Sequence, residues 1–268
     1  MSAIPWQHGI MPIFEPVPAF SDNYIWLMTD PPSPAAVVID PGEASLVLQI
    51  LQQRKLELGA ILLTHHHGDH VGGVDELLRV RHVPVFGPAR ENIATVDHPI
   101  EGGDSVPLPD LGFDLEVMDV PGHTAGHVAY RGPDFVLVGD TLFAGGCGRV
   151  FEGTPEQMHG SLIRLAQLPG DTLVYCAHEY TAANLRFASE VEPYNDALEK
   201  RLEAALGARA EGRPTVPSTI DDELETNPFL RCDKSAVVAA AEARAGLDLP
   251  SAVDVFAVIR GWKDGWQG

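Results

Sequence analysis

The sequence predicts a layered α/β domain followed by a small helical one, and three observations predict it. Short apolar runs alternate with helix-like stretches over the first two thirds of the chain, Gly, Pro and Asp punctuate the joints between them, and strand-like runs stop near residue 180. The 268 residues are enough for one α/β domain with a sizeable core and an appendage, and no internal repeat is evident.

In chain order, strands are predicted over Tyr24–Thr29, Ala36–Ile39, Ala60–Thr64, Val83–Phe86, Leu115–Val120, Val128–Tyr130, Phe135–Val138 and Leu173–Ala177. Helices are predicted over Ala44–Arg54, Gly73–Val80, Pro155–Gln167 and Ala182–Val191. Beyond residue 180, Asn195–Ala210 and Ala236–Ala245 are rich in Ala, Glu, Arg and Leu and read as helices. Gly212–Asp222, with Pro214 and Pro217, reads as the linker between them. The expected division is therefore residues 1–180 and 181–268.

A hydrophobic content of 45% with 21% charged residues is that of a folded globular chain, and no apolar run is long enough for a membrane span. Met1–Phe20 carries no Lys or Arg and several prolines, which does not fit a secretory signal, so cytoplasmic residence is the expectation. Cys147, Cys176 and Cys232 are too few for a disulfide framework and are expected to be reduced, buried thiols. A net charge of −20 argues against nucleic acid and anionic membranes as partners. It also means that an anionic ligand needs a local basic pocket.

The decisive segment runs Gly59-Ala-Ile-Leu-Leu-Thr-His-His-His-Gly-Asp-His70. In extended backbone, residues two apart face the same way, so His65 and His67 point together and His66 elsewhere. Gly68 lets the chain turn and brings Asp69 and His70 to the same space. Three more apolar strands end in single donors: His123 after Val117–Val120, Asp140 after Phe135–Gly139 and His178 after Leu173–Ala177. Strand ends are where open α/β folds place their chemistry. Imidazole and carboxylate donors without thiolate suit zinc and other first-row divalent ions. His127 fits either a residue orienting a ligand or a packed polar niche, and Asp40 either a partner to a ligand or a turn former. His8, His82, His98 and His159 are expected to be ordinary surface or core residues.

This donor pattern resembles the metallo-β-lactamase superfamily, an αββα sandwich. The resemblance implies that His65, His67 and His123 hold one metal, that Asp69, His70 and His178 hold a second, and that Asp140 bridges the two. Two divalent ions bring four positive charges, and two carboxylates and a bridging hydroxide remove three. The remainder can polarise a carbonyl and receive an anionic leaving group.

Three further segments narrow the resemblance: Gly139–Gly153, Tyr175–Phe187, and a tail with Thr226-Asn-Pro-Phe-Leu-Arg231 and Arg260-Gly-Trp-Lys-Asp264. All are similar to glyoxalase II (hydroxyacylglutathione hydrolase), which carries a C-terminal helical domain. The resemblance implies hydrolysis of S-(2-hydroxyacyl)glutathione, such as S-lactoylglutathione, to a 2-hydroxy acid and glutathione in methylglyoxal detoxification. It implies a metal-bridging hydroxide as the attacking group, steadied by Asp69, and a glutathione grip from Arg149, Phe151, Tyr180, Arg260 and Lys263. Three of these are cations, which supplies the local basic pocket. Relatives often carry Lys at the position of Arg149, a change that keeps the charge. They often carry Tyr at the position of Phe151, whose missing hydroxyl removes a hydrogen bond worth about 0.5–1.5 kcal/mol. The alternatives are a mononuclear-iron persulfide dioxygenase or another hydrolase of this fold, such as a lactonase. The dioxygenases do not use a second metal site. Zinc is the first expectation for both metals, with iron or manganese next, and a monomer is the default assembly.

Overall fold

The computed structural model describes residues 11–268. His8 and the first ten residues of the segment read as lacking a secretory signal lie outside the described residues. The described chain divides into two compact units. One comprises the described part of Met1–Asp119 together with Gly126–Gly139, the other Val120–Ala125 with Asp140–Gly268.

The first unit opens on an antiparallel hairpin, β1 (Ile13–Ala19) and β2 (Asn23–Thr29). β1 went unread in the sequence because Pro16 and Pro18 break its strand signal. It lies at the edge of its sheet, where proline is tolerated. The sheet continues through β3 (Ala35–Ile39), β4 (Glu57–Leu62), β5 (Val85–Pro88) and β6 (His98–Ile100), in the order β1-β2-β3-β4-β5-β6. From β3 onward its pairs are parallel. Parallel neighbours need a crossover, and α1 (Ala44–Arg54) supplies it between β3 and β4, while α2 (Gly68–Val71) and α3 (Val74–Val80) lead from β4 to β5. Val47 and Leu51 of α1 and Val74 and Leu77 of α3 pack with Val38, Ile61 and Leu63 in one buried cluster. Each such side chain stabilises the fold by about 1.5–3 kcal/mol.

An antiparallel ladder follows: β7 (Ser105–Leu108), β8 (Phe113–Asp119), β9 (Val128–Arg131) and β10 (Phe135–Gly139). It packs on the first sheet within this unit. The buried Tyr130 hydroxyl donates to the Leu63 carbonyl at 2.7 Å, and the Phe14 and Phe135 rings meet edge to face at 4.8 Å. The register Ile39↔Leu62 brings the C-terminal ends of β3 and β4 out side by side. That adjacency places Asp40 beside Thr64.

The second unit holds a two-residue hairpin, β11 (Leu142–Phe143) with β12 (Gly146–Cys147), then α4 (Pro155–Leu165) and β13 (Leu173–Cys176). After these come α5 (Thr181–Val191), α6 (Asp196–Ala210), β14 (Ser218–Thr219), α7 (Ile220–Thr226), α8 (Ser235–Ala245) and α9 (Ala252–Asp264). The Thr154–Gln157 capping box, with Pro155 inside it, starts α4. The stretch read as a linker to Asp222 is already helical from Ile220, because Thr219 and Asp222 form a reciprocal cap. Phe187, Phe229, Phe256 and Trp262 form a chain of ring contacts between 5.5 and 6.2 Å that joins the tail helices. Among the described residues no helix is long and apolar enough to cross a membrane.

Gly42 follows Asp40 at the turn out of β3, and a Cβ there would lie 1.9 Å from the Asp69 carbonyl oxygen. Gly42→Ala is therefore expected to lower the unfolding free energy by about 1–3 kcal/mol. Urea denaturation checks this, and an unchanged midpoint would show that the two turns are not packed backbone to backbone.

Candidate metal centre

Within the first unit, the chain leaves β4 through Leu63 and Thr64 into the histidine run, and α2 then turns Asp69 and His70 back. The first half of the predicted donor set is gathered here. His65 Nε2 lies 3.1 Å from His67 Nδ1, and His70 Nε2 lies 3.6 Å from Asp69 Oδ2. The His65 ring is 4.1 Å from that of His70 and stacks on His127 at 4.6 Å. His65 and His70 are buried, so several imidazole nitrogens converge away from bulk water.

Asp40 explains their orientation. Its carboxylate accepts the Thr64 N–H at 2.8 Å and the Thr64 hydroxyl at 2.7 Å, and lies 3.0 Å from His70 Nδ1. A hydroxyl has one hydrogen, and Thr64 gives it to Asp40. The Thr64 oxygen therefore accepts from His65 Nδ1, 3.0 Å away. His65 thus carries its proton on Nδ1 and turns Nε2 towards His67, and His70 keeps Nδ1 beside the Asp40 carboxylate. Of the two roles that the sequence leaves open for Asp40, partner to a ligand is the one this geometry supports.

Asn23 is a residue that the sequence does not mark. Its Nδ2 donates to Asp69 Oδ2 at 2.9 Å. Another is Glu91, which binds His66 Nδ1 at 2.8 Å and accepts the Gly126 N–H at 3.2 Å. His66 is thereby engaged by a carboxylate outside the donor set. No local motif marks Asn23 or Glu91, since both reach the site from distant strands and turns.

The second unit gathers the other half of the set. Asp140 presents Oδ2 to His123 Nε2 at 3.5 Å and Oδ1 to His178 Nε2 at 3.3 Å. One carboxylate facing two imidazoles with different oxygens is the disposition of a bridging ligand. His123 Nδ1 donates to the Arg149 carbonyl at 2.8 Å, which sets the ring with Nε2 on the Asp140 side. All three side chains are buried. In both halves the donors are imidazoles and carboxylates, and His65 and His123 have Nδ1 engaged by an oxygen, which fits first-row divalent metal.

The candidate substrate residues all lie in the second unit, in two groups. Phe151 and Tyr180 sit on the donors: the Phe151 ring is 5.2 Å from His123, and Tyr180 stacks on His178 at 4.7 Å. The cations gather around the end of α9. Arg149 is exposed, with Nε 3.6 Å from Asp264 Oδ1. Lys263 lies over the Trp266 ring at 4.2 Å and donates to the Ala183 carbonyl at 3.3 Å. Arg260 is buried, bonding the Cys147 carbonyl at 2.9 Å and Asp264 Oδ1 at 3.1 Å.

The tail motif Thr226–Arg231 also acquires a physical role. Asn227 Nδ2 donates to the Gly146 carbonyl at 2.9 Å, and the buried Glu223 accepts from Asn227 Nδ2 at 2.8 Å and from the Gly145 N–H at 2.9 Å. The hairpin between Asp140 and Arg149 is thus pinned by side chains from α7 and its end. All three cysteines are buried, and burial raises the thiols of Cys147 and Cys176 to about 11 and about 12. Such thiols are inert at neutral pH.

Residues 24–178 match the family model of the metallo-beta-lactamase superfamily, so fold and donor chemistry together define a metal-dependent hydrolase of that class. Residues 179–266 match the model described as the hydroxyacylglutathione hydrolase C-terminus. A hydroxyacylglutathione hydrolase of Halorhodospira halophila is 55% identical over 250 residues, covering 93% of this chain and 98% of that one. The chain belongs to the hydroxyacylglutathione hydrolase family. Among solved structures it is similar to ETHE1 from Myxococcus xanthus, with a TM-score of 0.63 and 27% identity over 94% of this chain and 98% of that one. It is also similar to TTHA1623 in a di-iron-bound form, with a TM-score of 0.55 and 28% identity over 82% of this chain and all of that one.

The Asp40 geometry makes a direct prediction. Asp40→Asn is expected to keep the fold but weaken metal retention by about 10- to 100-fold. Elemental analysis after dialysis against graded chelator checks it, and retention equal to that of the parent chain would remove Asp40 from the site.

Proposed function

We infer that the chain hydrolyses the thioester of S-(2-hydroxyacyl)glutathione, S-lactoylglutathione among them, releasing a 2-hydroxy acid such as lactate together with glutathione. The observation that carries this is the match of its tail to the hydroxyacylglutathione hydrolase C-terminus, joined to the superfamily match that spans both donor half-sets. Whole-length relatives bearing that name favour the thioesterase over the persulfide dioxygenase or lactonase. The family models meet between residues 178 and 179, which supports a functional boundary near residue 180.

In this reading the half-sets act as one centre for two divalent ions. His65, His67 and His123 would hold one, Asp69, His70 and His178 the other, and Asp140 both. Bound there, the ions supply a Lewis acid for the thioester carbonyl and a lowered pKa for water. Zinc or iron suits these donors, and the di-iron form of TTHA1623 supports iron as fully as the ligand chemistry supports zinc. The protein's own part is orientation and proton handling. Asp69, steadied at Oδ2 by Asn23, would hold a proton of the attacking water. Thr64 and the Arg149 carbonyl keep His65 and His123 in one tautomer, and Asp40 lies beside His70 Nδ1. Arg149 and Lys263 meet the carboxylates of the tripeptide, and Phe151 and Tyr180 offer ring surface beside the donors. Cytoplasmic residence goes with this reading and is supported by three buried cysteines kept as thiols.

Purified protein is expected to cleave S-lactoylglutathione and to leave nitrocefin, a simple lactone and glutathione persulfide largely untouched. The persulfide arm is followed by oxygen uptake. His70→Ala or Asp140→Ala is expected to abolish nearly all turnover and lower metal content in the same sample. Full activity at normal metal loading in either variant would overturn the assignment.

Lys263 gives a pH dependence. Burial lowers its pKa to about 8, and Arg260 and Arg149 push the same way against Glu190. The unliganded protein therefore carries this charge below about pH 8 and loses it above. KM for the anionic thioester is expected to be flat below pH 8 and to rise above it. Lys263→Arg keeps the charge and should abolish that rise, and a profile identical to the parent's would exclude Lys263 as its source.

A further inference from the structure

We infer that Asp264 is a positioning residue that presents Arg149 to the carboxylates of a bound glutathione moiety; this rests on the functional reading above.

The cations around α9 do not stand alike. Arg260 is 7% exposed, its guanidinium packs over the Phe229 ring at 5.0 Å, and its two terminal nitrogens go to the Cys147 carbonyl and to Asp264 Oδ1. It is built into the fold. The Arg149 side chain is 61% exposed and accessible to a ligand. Asp264 Oδ1 lies between them, 3.1 Å from Arg260 and 3.6 Å from Arg149. A buried guanidinium thus holds a carboxylate, and the carboxylate faces the exposed arm. A flexible side chain held in its binding geometry loses less entropy when a ligand arrives.

Beside its pairing with Arg260, two features weigh against an acid at Asp264. It is the last residue of α9, where the helix dipole disfavours a carboxylate. It also puts a negative charge into the pocket that must attract an anion in a chain of net charge −20. Both costs are incurred where an acid would be expected only if its geometry matters. The arrangement reaches the donors as well, since the Arg149 carbonyl accepts from His123 Nδ1.

The test is a double-mutant cycle on the full metal-loaded chain: parent, Asp264→Asn, Arg149→Ala and the double variant. KM and kcat for S-lactoylglutathione are read beside the calorimetric Kd for glutathione. Asp264→Asn is expected to raise KM and Kd about three- to tenfold while kcat stays within about twofold. The double variant is expected to be no worse than Arg149→Ala, because Asp264 acts through Arg149. Asp264→Glu, which keeps the carboxylate, should recover most of the loss. Asp264→Asn with unchanged or tighter binding, or losses that simply multiply in the double variant, would overturn the inference. Asp264 also pairs with the buried Arg260, so far-UV dichroism and thermal unfolding of each variant verify that the fold is kept. The calorimetric arm needs no turnover. A coupled cycle in a chain that cleaves no thioester would refute the functional reading and leave the role of Asp264 standing, and normal turnover with an additive cycle would do the reverse.

Discussion

One buried carboxylate, Asp40, organises the histidine-rich half of the metal centre. It is 3% exposed and sits in left-handed backbone, φ 51°, a conformation that costs a non-glycine residue about 1–3 kcal/mol. The Thr64 amide and hydroxyl both donate to its carboxylate, and His70 Nδ1 lies 3.0 Å away. It thus reaches two imidazoles, His70 directly and His65 through the hydroxyl whose only hydrogen has been taken. The parallel register of β3 and β4 makes this feasible by bringing Asp40 and Thr64 out of the sheet together.

The second unit solves the same problem with neutral groups. His123 is held by a backbone carbonyl, and the hairpin that leads to that carbonyl is pinned by Asn227 and Glu223 from the helical tail. Glu223 is fully buried and is balanced by Arg201 together with its amide donors. The tail therefore supports the donor-bearing segment as well as supplying cations. Each unit thus holds its candidate donors in place through neighbouring hydrogen bonds, as a metal site requires.

Electrostatics divides the labour among the cations. In so acidic a chain an anionic substrate is bound only where positive charge is concentrated. On the proposed reading Arg149, Arg260 and Lys263 would provide that concentration, yet Arg260 is bonded inside the fold, and burial with neighbouring arginines lowers the pKa of Lys263 to about 8. The exposed guanidinium of Arg149 is left as the persistent charge at the surface.

The donor set was legible in the sequence because metal ligands are chemically distinctive and fall at the ends of apolar runs. His65, His67, Asp69 and His70 share one loop, and period-two alternation alone separates His66 from them. The helical tail was legible from composition, and its link to glutathione chemistry from the motif around Asn227 and Arg260. The edge strand β1 was not, since its prolines erase the strand signal that an edge position tolerates. Nor was the helical start at Ile220, since the reading followed Pro214 and Pro217 and not the Thr219–Asp222 cap. Asn23, Glu91 and Asp264 carry no local signature, because their roles come from which distant group each one meets. The buried state of Arg260 likewise depends on Phe229 and Cys147 folding around it. Residue chemistry and spacing by themselves picked out which side chains are candidate metal donors. Only the tertiary structure decided which nitrogen of each imidazole faces inward and which cation is left in water, because hydrogen-bond partners and burial are set by strand register and packing across long stretches of chain.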